Sequence, residues 1–275
     1  MSRLSIVLYS LVSICLLIIP FTKAEAADPN LFEAATHQSN GQSIPYRLFH
    51  ARQNDRQKLY PLILFLHGSG ERGDNNTSQV KHNFPSVFLS KQGQNQRPCF
   101  IVAPQCPKGV SWSGDRLVQL KSLIDSLCEE YPIDRKRLYL TGLSMGGRGT
   151  FNMLAEYPGL FAAAVSCAGG NDPSKVKEMM QTPMWLHCSS ADRSINYYRD
   201  LVKALNDLDE EVVWFKSRKD WTDSNVPWEA IENKARNHSR FLFCEISDGQ
   251  HHNSWTFAWE NPEMPSWLFS KSLSK

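Results

Sequence analysis

Gly142-Leu143-Ser144-Met145-Gly146 fits the pattern G-x-S-x-G and decides how this chain is interpreted. Residues 136–141 before it are apolar and β-prone, and residues 150–155 after it predict a helix that ends before Pro158. A serine between a strand and a helix lies at the tip of a tight turn. Glycines suit that turn because a Cβ would collide with the neighbouring strand or helix. The pattern therefore predicts that Ser144 is an exposed nucleophile.

Segments with strand and helix patterns alternate along the rest of the chain. Apolar runs predict strands at residues 60–66, 99–103, 138–141, 161–166, 184–188 and 240–246, and helical spacing occurs at residues 117–131 and 201–205. This alternation predicts an α/β protein with a mostly parallel central sheet and helices on both faces. The turn at Ser144 resembles the nucleophile elbow of α/β-hydrolases, which implies the α/β-hydrolase fold.

The N-terminus has the order of a secretory signal. Arg3 precedes an uncharged, largely apolar run at residues 4–22, and Lys23 and the small-residue site Ala24-Glu25-Ala26 follow. We expect residues 1–26 to be a signal peptide cleaved after Ala26, which makes the protein secreted or periplasmic. The alternative is an uncleaved membrane anchor, since the run is just long enough to span a bilayer. Residues 27–275 suit a single domain.

The charges and cysteines exclude several classes of function. The chain has 30 basic and 28 acidic residues, and this balance predicts no nucleic-acid partner and no membrane partner after signal cleavage. Cysteines 128, 167, 188 and 244 lie in apolar runs and are expected to be buried thiols. A disulfide between Cys99 and Cys106 is left open. No spacing suggests zinc, and we expect no metal and no organic cofactor.

Two adjacent histidines are candidates for the base that a serine nucleophile requires. In the α/β-hydrolase order, the acid follows the serine along the chain and the histidine follows the last strand. His251 and His252 lie in the loop after residues 240–246. Adjacent residues of an extended loop cannot both face Ser144, so one of them is a spectator.

The acid has two candidates, and each follows a predicted strand. Asp192 comes after residues 184–188, and Asp172 comes after residues 161–166. We favour Asp192 because it follows the later strand. Asp172 precedes Pro173, a position that also suits a helix cap.

An oxyanion hole needs two backbone N–H donors near the nucleophile. One is expected from Met145, directly after Ser144. The other is assigned to Ser69, followed by Gly70, in the His-Gly-Ser-Gly loop after the first predicted strand. We expect His67 to orient this loop, His187 to lie at a strand end, and His82 to lie on the surface.

A tryptophan-rich, charged stretch at residues 213–238 interrupts the alternation. We interpret it as an insertion over the edge of the sheet. It is either a lid or substrate wall or only a surface excursion, and the sequence leaves both open.

The chain resembles bacterial α/β-hydrolases of the esterase and predicted-peptidase group, which is related to polyhydroxybutyrate depolymerase-like, feruloyl and acetyl-xylan esterases and to dienelactone hydrolase. The matching stretches are residues 64–76, 102–107, 139–150, 161–165 and 252–255. The resemblance implies that His252 is the base. The acid loop departs from the group: Cys188 replaces a glycine, the spacing to Asp192 is one residue longer, and a Val-Pro pair is absent.

These features together predict a secreted serine hydrolase that cleaves carboxylic esters through Ser144, His252 and Asp192. Its expected substrate is a small-molecule or polysaccharide-linked ester. One alternative is a serine peptidase related to prolyl oligopeptidases, because the elbow and the triad are common to both classes. Another is a non-catalytic binding protein on a hydrolase scaffold.

Overall fold

Nine strands form one sheet in the computed structural model, which describes residues 27–52, 55, 57–217, 232–235, 239–247, 252–261 and 263–274. The predicted signal peptide lies outside these residues. The strands are β1 (Glu33–Ser39), β2 (Gln42–Phe49), β3 (Tyr60–Leu66), β4 (Phe100–Pro104), β5 (Ile133–Leu143), β6 (Ala163–Cys167), β7 (Met184–Ser189), β8 (Val212–Ser217) and β9 (Phe241–Ile246).

Most neighbouring strands of the sheet are parallel, so their carboxyl ends lie along one edge. The order is β1-β2-β4-β3-β5-β6-β7-β9-β8. Strand β2 runs antiparallel to β1 and β4, and the other pairings are parallel. Ligands bind parallel α/β sheets in crevices at the carboxyl ends of the strands, so this edge is where a site is expected.

Helices cover both faces of the sheet. They include α1 (Ser78–Lys81), α2 (Lys91–Gln96), α3 (Asp115–Glu130), α4 (Met145–Glu156), α5 (Val176–Met179), α6 (Ile195–Asn206), α7 (Ser254–Glu260) and α8 (Met264–Phe269). One apolar core contains side chains of α3, α4 and α6, and a second contains side chains of α7 and α8. Because both faces are covered, every residue of β3 is buried. The α/β-hydrolase architecture predicted from the sequence is therefore present.

The predicted start of the insertion at residues 213–238 is wrong, because the first of these residues belong to strand β8 of the sheet. Val212–Ser217 pairs in parallel with β9 and forms the edge of the sheet. Trp214 is exposed and Phe215 is buried, an alternation typical of an edge strand with one covered face. Residues 218–231 and 236–238 lie outside the described residues. Strands β1 and β2 were also not predicted from the sequence.

The cysteines of residues 27–275 are all free thiols, so Cys99 and Cys106 are not paired. Cys99, Cys106, Cys167, Cys188 and Cys244 are buried, and burial raises the pKa of the Cys99 thiol to about 12. In the part of the chain that the structure describes, no helix is long and apolar enough to cross a bilayer.

Candidate active site

The turn between β5 and α4 holds Ser144 in a backbone conformation with positive φ, at φ 54° and ψ −114°. Such a φ is uncommon for a residue with a side chain. Close backbone contacts enforce it: a Cβ at Gly146 would lie 1.8 Å from the Leu66 carbonyl oxygen, and one at Gly169 would lie 1.9 Å from the Ser144 carbonyl oxygen. The Ser144 N–H also donates to the Cys167 carbonyl at 2.8 Å. The glycines therefore allow neighbouring backbone segments to pack closely, and Ser144 projects from the carboxyl edge of the sheet.

Three side chains predicted from the sequence meet at this edge. The Ser144 Oγ lies 2.7 Å from His252 Nε2, and His252 Nδ1 lies 2.7 Å from Asp192 Oδ2. An ionised carboxylate only accepts hydrogen bonds, so Nδ1 carries the proton and Nε2 accepts from the serine hydroxyl. This arrangement can draw the proton from Ser144 as the oxygen attacks an electrophile.

The environment of Asp192 keeps its carboxyl group ionised. Asp192 is 2% exposed, and its Oδ1 accepts from both the backbone N–H and the hydroxyl of Ser194, each at 2.7 Å. Burial raises the pKa of this carboxyl. The hydrogen bonds from His252 and Ser194 lower the pKa by more than burial raises it, so the pKa lies below its ordinary value. The group is a negatively charged acceptor that can orient and stabilise a protonated imidazole.

Of the other two sequence candidates, Asp172 does not join this cluster. Asp172 is exposed, and its side chain caps the short 3₁₀ turn Pro173–Lys175 by accepting from the Ser174 N–H at 2.8 Å. This is the capping position expected of an aspartate before proline. His251 lies outside the described residues.

The loop after β3 approaches the elbow closely. A Cβ at Gly68 would lie 2.8 Å from Leu143 Cδ1 and 3.5 Å from the Ser144 Cβ. Ser69 begins the 3₁₀ turn Ser69–Glu71, and Met145 begins helix α4, where the first N–H groups have no partner within the helix. The two backbone N–H groups predicted for an oxyanion hole therefore belong to the 3₁₀ turn that begins at Ser69 and to the residue directly after Ser144.

His67 holds this loop in one orientation. Its Nε2 accepts from the Cys106 N–H at 2.9 Å, so the proton is on Nδ1, which donates to the Gly68 carbonyl at 2.6 Å. Burial lowers the pKa of His67 to about 4, which keeps the ring neutral. Because C=O and N–H point in opposite directions across a trans peptide, fixing the Gly68 carbonyl also fixes the Ser69 N–H.

His187 and His82, the other two histidines considered from the sequence, have no place in this geometry. His187 lies in β7, is fully buried, and its ring stacks on Trp185 with centroids 5.8 Å apart. Burial lowers the pKa of His187 to about 3. His82 is exposed, as predicted. Within the described part of the chain, no group of three or more His, Cys, Asp or Glu side chains is arranged to hold a metal ion.

Sequence reasoning missed Ser194, although a signal for it exists. Asp192-Arg193-Ser194 has the spacing of an Asx turn, in which an aspartate side chain accepts from the backbone N–H two residues later. The acid loop also turns tightly, with the Asp192 N–H donating to the Ser189 carbonyl at 3.0 Å and the Ile195 N–H donating to the Asp192 carbonyl at 3.1 Å.

The sheet, the elbow after β5 and the side chains at its carboxyl edge define an α/β-hydrolase fold. The model of the Esterase family matches residues 49–258, which is most of the chain, and the chain belongs to that family. A solved thermostable esterase superposes with a TM-score of 0.75 at 33% identity, over 88% of this chain and 64% of that chain.

Two curated relatives confirm the resemblance noted from the sequence. Poly(3-hydroxyalkanoate) depolymerase C of Paucimonas lemoignei is 30% identical over 52% of this chain. The bifunctional acetylxylan esterase/xylanase XynS20E of Neocallimastix patriciarum is 30% identical over 50% of this chain. The alignments cover only 35% and 20% of those two proteins.

Proposed function

We propose that this protein is a serine hydrolase that cleaves carboxylic esters through an acyl-enzyme. The single observation that carries the proposal is the continuous hydrogen-bonded line from Ser144 through His252 to Asp192, with both heavy-atom distances at 2.7 Å. Family membership supports ester hydrolysis as the reaction. A binding protein on a hydrolase scaffold would need neither the strained serine nor the ionised acid behind the histidine.

In the proposed first half-reaction, Ser144 Oγ attacks the ester carbonyl and its proton passes to His252 Nε2. The oxyanion accepts hydrogen bonds from the N–H groups of Ser69 and Met145. Asp192 stabilises the imidazolium by its charge and by the hydrogen bond to Nδ1. The C–O bond to the alcohol then breaks, and His252 returns the proton to the departing oxygen.

The second half-reaction repeats these steps with water. His252 takes a proton from the water as its oxygen attacks the acyl carbonyl, and the proton then passes to Ser144 Oγ as the acid product leaves. The proposed substrate is a small-molecule or polysaccharide-linked ester. The name of one curated relative, a bifunctional acetylxylan esterase/xylanase, supports a polysaccharide-linked ester.

The test is hydrolysis of p-nitrophenyl acetate and butyrate by the wild type and by Ser144→Ala. We expect turnover by the wild type and loss of at least about 10³-fold in kcat in the variant. Chromogenic dipeptide anilides in the same assay test the peptidase alternative, and faster cleavage of the anilides would favour it. No ester turnover, together with no labelling of Ser144 by a fluorophosphonate, would refute both enzyme classes.

We further propose that residues 1–26 are a signal peptide and that residues 27–275 form the single hydrolase domain of a secreted or periplasmic protein. The positive residue, the apolar run and the Ala24-Glu25-Ala26 site support this proposal. N-terminal sequencing of exported protein should begin at Ala27. An intact N-terminus in the membrane fraction would instead indicate an anchor.

A further inference from the structure

A second buried carboxylate lies behind the acid loop and takes no part in the proposed triad. Glu245 is in β9 and is fully buried. Its register partner is Cys188 of β7, the strand that leads into the loop of Asp192. Burying a carboxylate is costly unless charges and hydrogen bonds compensate for the lost water. The partners of Glu245 therefore indicate its role.

Three segments of the chain supply those partners. The Ser190 hydroxyl donates to Oε1 at 2.8 Å, and Arg199 of α6 donates from Nη2 to Oε1 at 2.6 Å and from Nε to Oε2 at 3.4 Å. The Nζ of Lys216 in β8 lies 3.9 Å from Oε1. Burial raises the pKa of Glu245, but the hydrogen bonds from Arg199 and Ser190 lower it by more, so the pKa lies below its ordinary value. The carboxylate is therefore ionised and accepts charge-assisted hydrogen bonds, which are the strong ones.

Ser190 is the partner that connects Glu245 to the triad. It lies directly after β7 and two residues before Asp192, and its N–H donates to the Ile246 carbonyl at 2.9 Å. The backbone and the side chain of Ser190 thus bind two consecutive residues of β9, the strand that leads to His252. The start of the acid loop is therefore attached to the strand that carries the base.

Arg199 attaches the other end of the acid loop to the same carboxylate. Helix α6 begins at Ile195, three residues after Asp192, and Arg199 lies in its second turn. Glu245 therefore accepts hydrogen bonds from residues that precede and follow the acid along the chain. Since Asp192 and His252 belong to different loops, their 2.7 Å hydrogen bond depends on how these loops are held to each other.

We propose that Glu245 is a positioning residue that acts on Asp192 through the Ser190 hydroxyl. Without this link, the acid loop is held to β9 by the backbone bond of Ser190 alone, and the Asp192 carboxylate no longer stays in line with His252. Misplacement of a catalytic group lowers the rate of the chemical step more than it lowers substrate affinity. The role rests on the proposed ester hydrolysis.

A single hydroxyl deletion tests the link, with a matched deletion as its control. Ser190→Ala keeps the backbone bond and should lower kcat for p-nitrophenyl acetate about 10-fold, with KM within about twofold. Tyr139→Phe removes another buried hydroxyl, which donates to the Lys271 carbonyl at 2.8 Å, and should leave kcat within about twofold. Unchanged kcat in Ser190→Ala, or equal losses in the two variants, would overturn the proposal.

Substitutions of Glu245 test whether the two residues act as one unit. Glu245→Leu should lower kcat about 10-fold or more, and adding Ser190→Ala should lower it no further than about twofold, because both changes remove the same link. Glu245→Gln keeps an oxygen that accepts from Ser190 and should restore kcat to within about threefold of the wild type. A further 10-fold loss in the double variant, or a glutamine variant as slow as the leucine variant, would overturn the proposal. Should Glu245→Leu fail to fold, the comparison of Ser190→Ala with Tyr139→Phe decides.

A spectroscopic measurement separates this proposal from the proposed reaction. The proton between His252 Nδ1 and Asp192 Oδ2 should give a downfield ¹H NMR resonance in the protein without substrate. We expect the resonance to move upfield or broaden in Ser190→Ala and to stay unchanged in Tyr139→Phe. An unchanged resonance in Ser190→Ala would overturn the role of Glu245 whatever the turnover. The expected change in a protein that hydrolyses no ester would overturn the reaction and support the positioning role.

Discussion

The loops after β6 and after β7 contain the same local structure with different surroundings. In each, an aspartate accepts from the backbone N–H of the serine two residues later, Asp172 from Ser174 at 2.8 Å and Asp192 from Ser194 at 2.7 Å. Asp172 is exposed and caps a 3₁₀ turn, whereas Asp192 is buried and its second oxygen accepts from His252.

Strand order explains the difference between the two loops. Strand β7 pairs with β9, and His252 follows β9 along the chain, whereas β6 has β5 and β7 as its neighbours. Of these two loops, the one after β7 therefore lies next to the loop that carries the histidine, and the one after β6 does not. An Asx turn orients a carboxylate, but the residue that the carboxylate contacts depends on which strand is the neighbour.

The largest expected effect comes from removing the two carboxylates in turn. Asp192→Asn should lower kcat for p-nitrophenyl acetate about 10³- to 10⁴-fold, because an amide neither stabilises the imidazolium nor selects the correct tautomer. Asp172→Asn should stay within about twofold. Steady-state kinetics of the two variants at neutral pH provide the test, and equal tolerance of both substitutions would mean that another acid serves His252.

Removing the hydroxyl of the serine that follows each aspartate should have a smaller effect on kcat. The effect should again be larger in the loop after β7 than in the loop after β6. Ser194→Ala deletes one donor to Asp192 Oδ1 and keeps the backbone donor, so kcat should fall about 10-fold. Ser174→Ala changes the corresponding position of the other loop and should leave kcat unchanged. Wild-type kinetics in Ser194→Ala would show that the backbone N–H alone is enough to position the carboxylate.

The smallest expected effect is on stability in acid. The pKa of Asp192 is lowered in the folded protein, so its contribution to stability is complete above the unfolded pKa of about 3.9 and is lost as the pH falls through the folded value. Urea denaturation from pH 5 to pH 3 should therefore show a shallower loss of stability in Asp192→Asn than in the wild type. A slope in Asp192→Asn as steep as that of the wild type would show that this carboxyl is not perturbed by folding.

The elbow could be predicted from local sequence, whereas Asp192 was favoured over Asp172 only from the chain order of the α/β-hydrolase fold. Glycine is required at positions 142, 146 and 169 because backbone atoms of neighbouring segments occupy the space of a Cβ. The strained turn at Ser144 can therefore be recognised from the glycines around it in the sequence. The choice between Asp172 and Asp192 depends on strand order, which neither local sequence contains. Ser190 and Glu245 are 55 residues apart and meet only through folding, so no spacing indicated their contact.

The edges of the sheet were predicted least well. Strand β1 has no fully buried residue. Strand β8 lies at the start of a tryptophan-rich stretch whose sequence has no clear strand or helix pattern. Central strands such as β3 are buried on both faces and leave continuous apolar runs. Edge strands lack that signal because one side of each faces solvent.

The most direct test of the account is to trap the acyl-enzyme. Wild type and Ser144→Ala would be mixed with excess p-nitrophenyl acetate, quenched in acid within the first turnovers, and digested for peptide mass spectrometry. We expect one acetyl group on Ser144 in the wild type and none at that position in the variant, together with a burst of p-nitrophenol. Steady turnover by Ser144→Ala, or acetyl transfer to another residue that is competent for turnover, would contradict it.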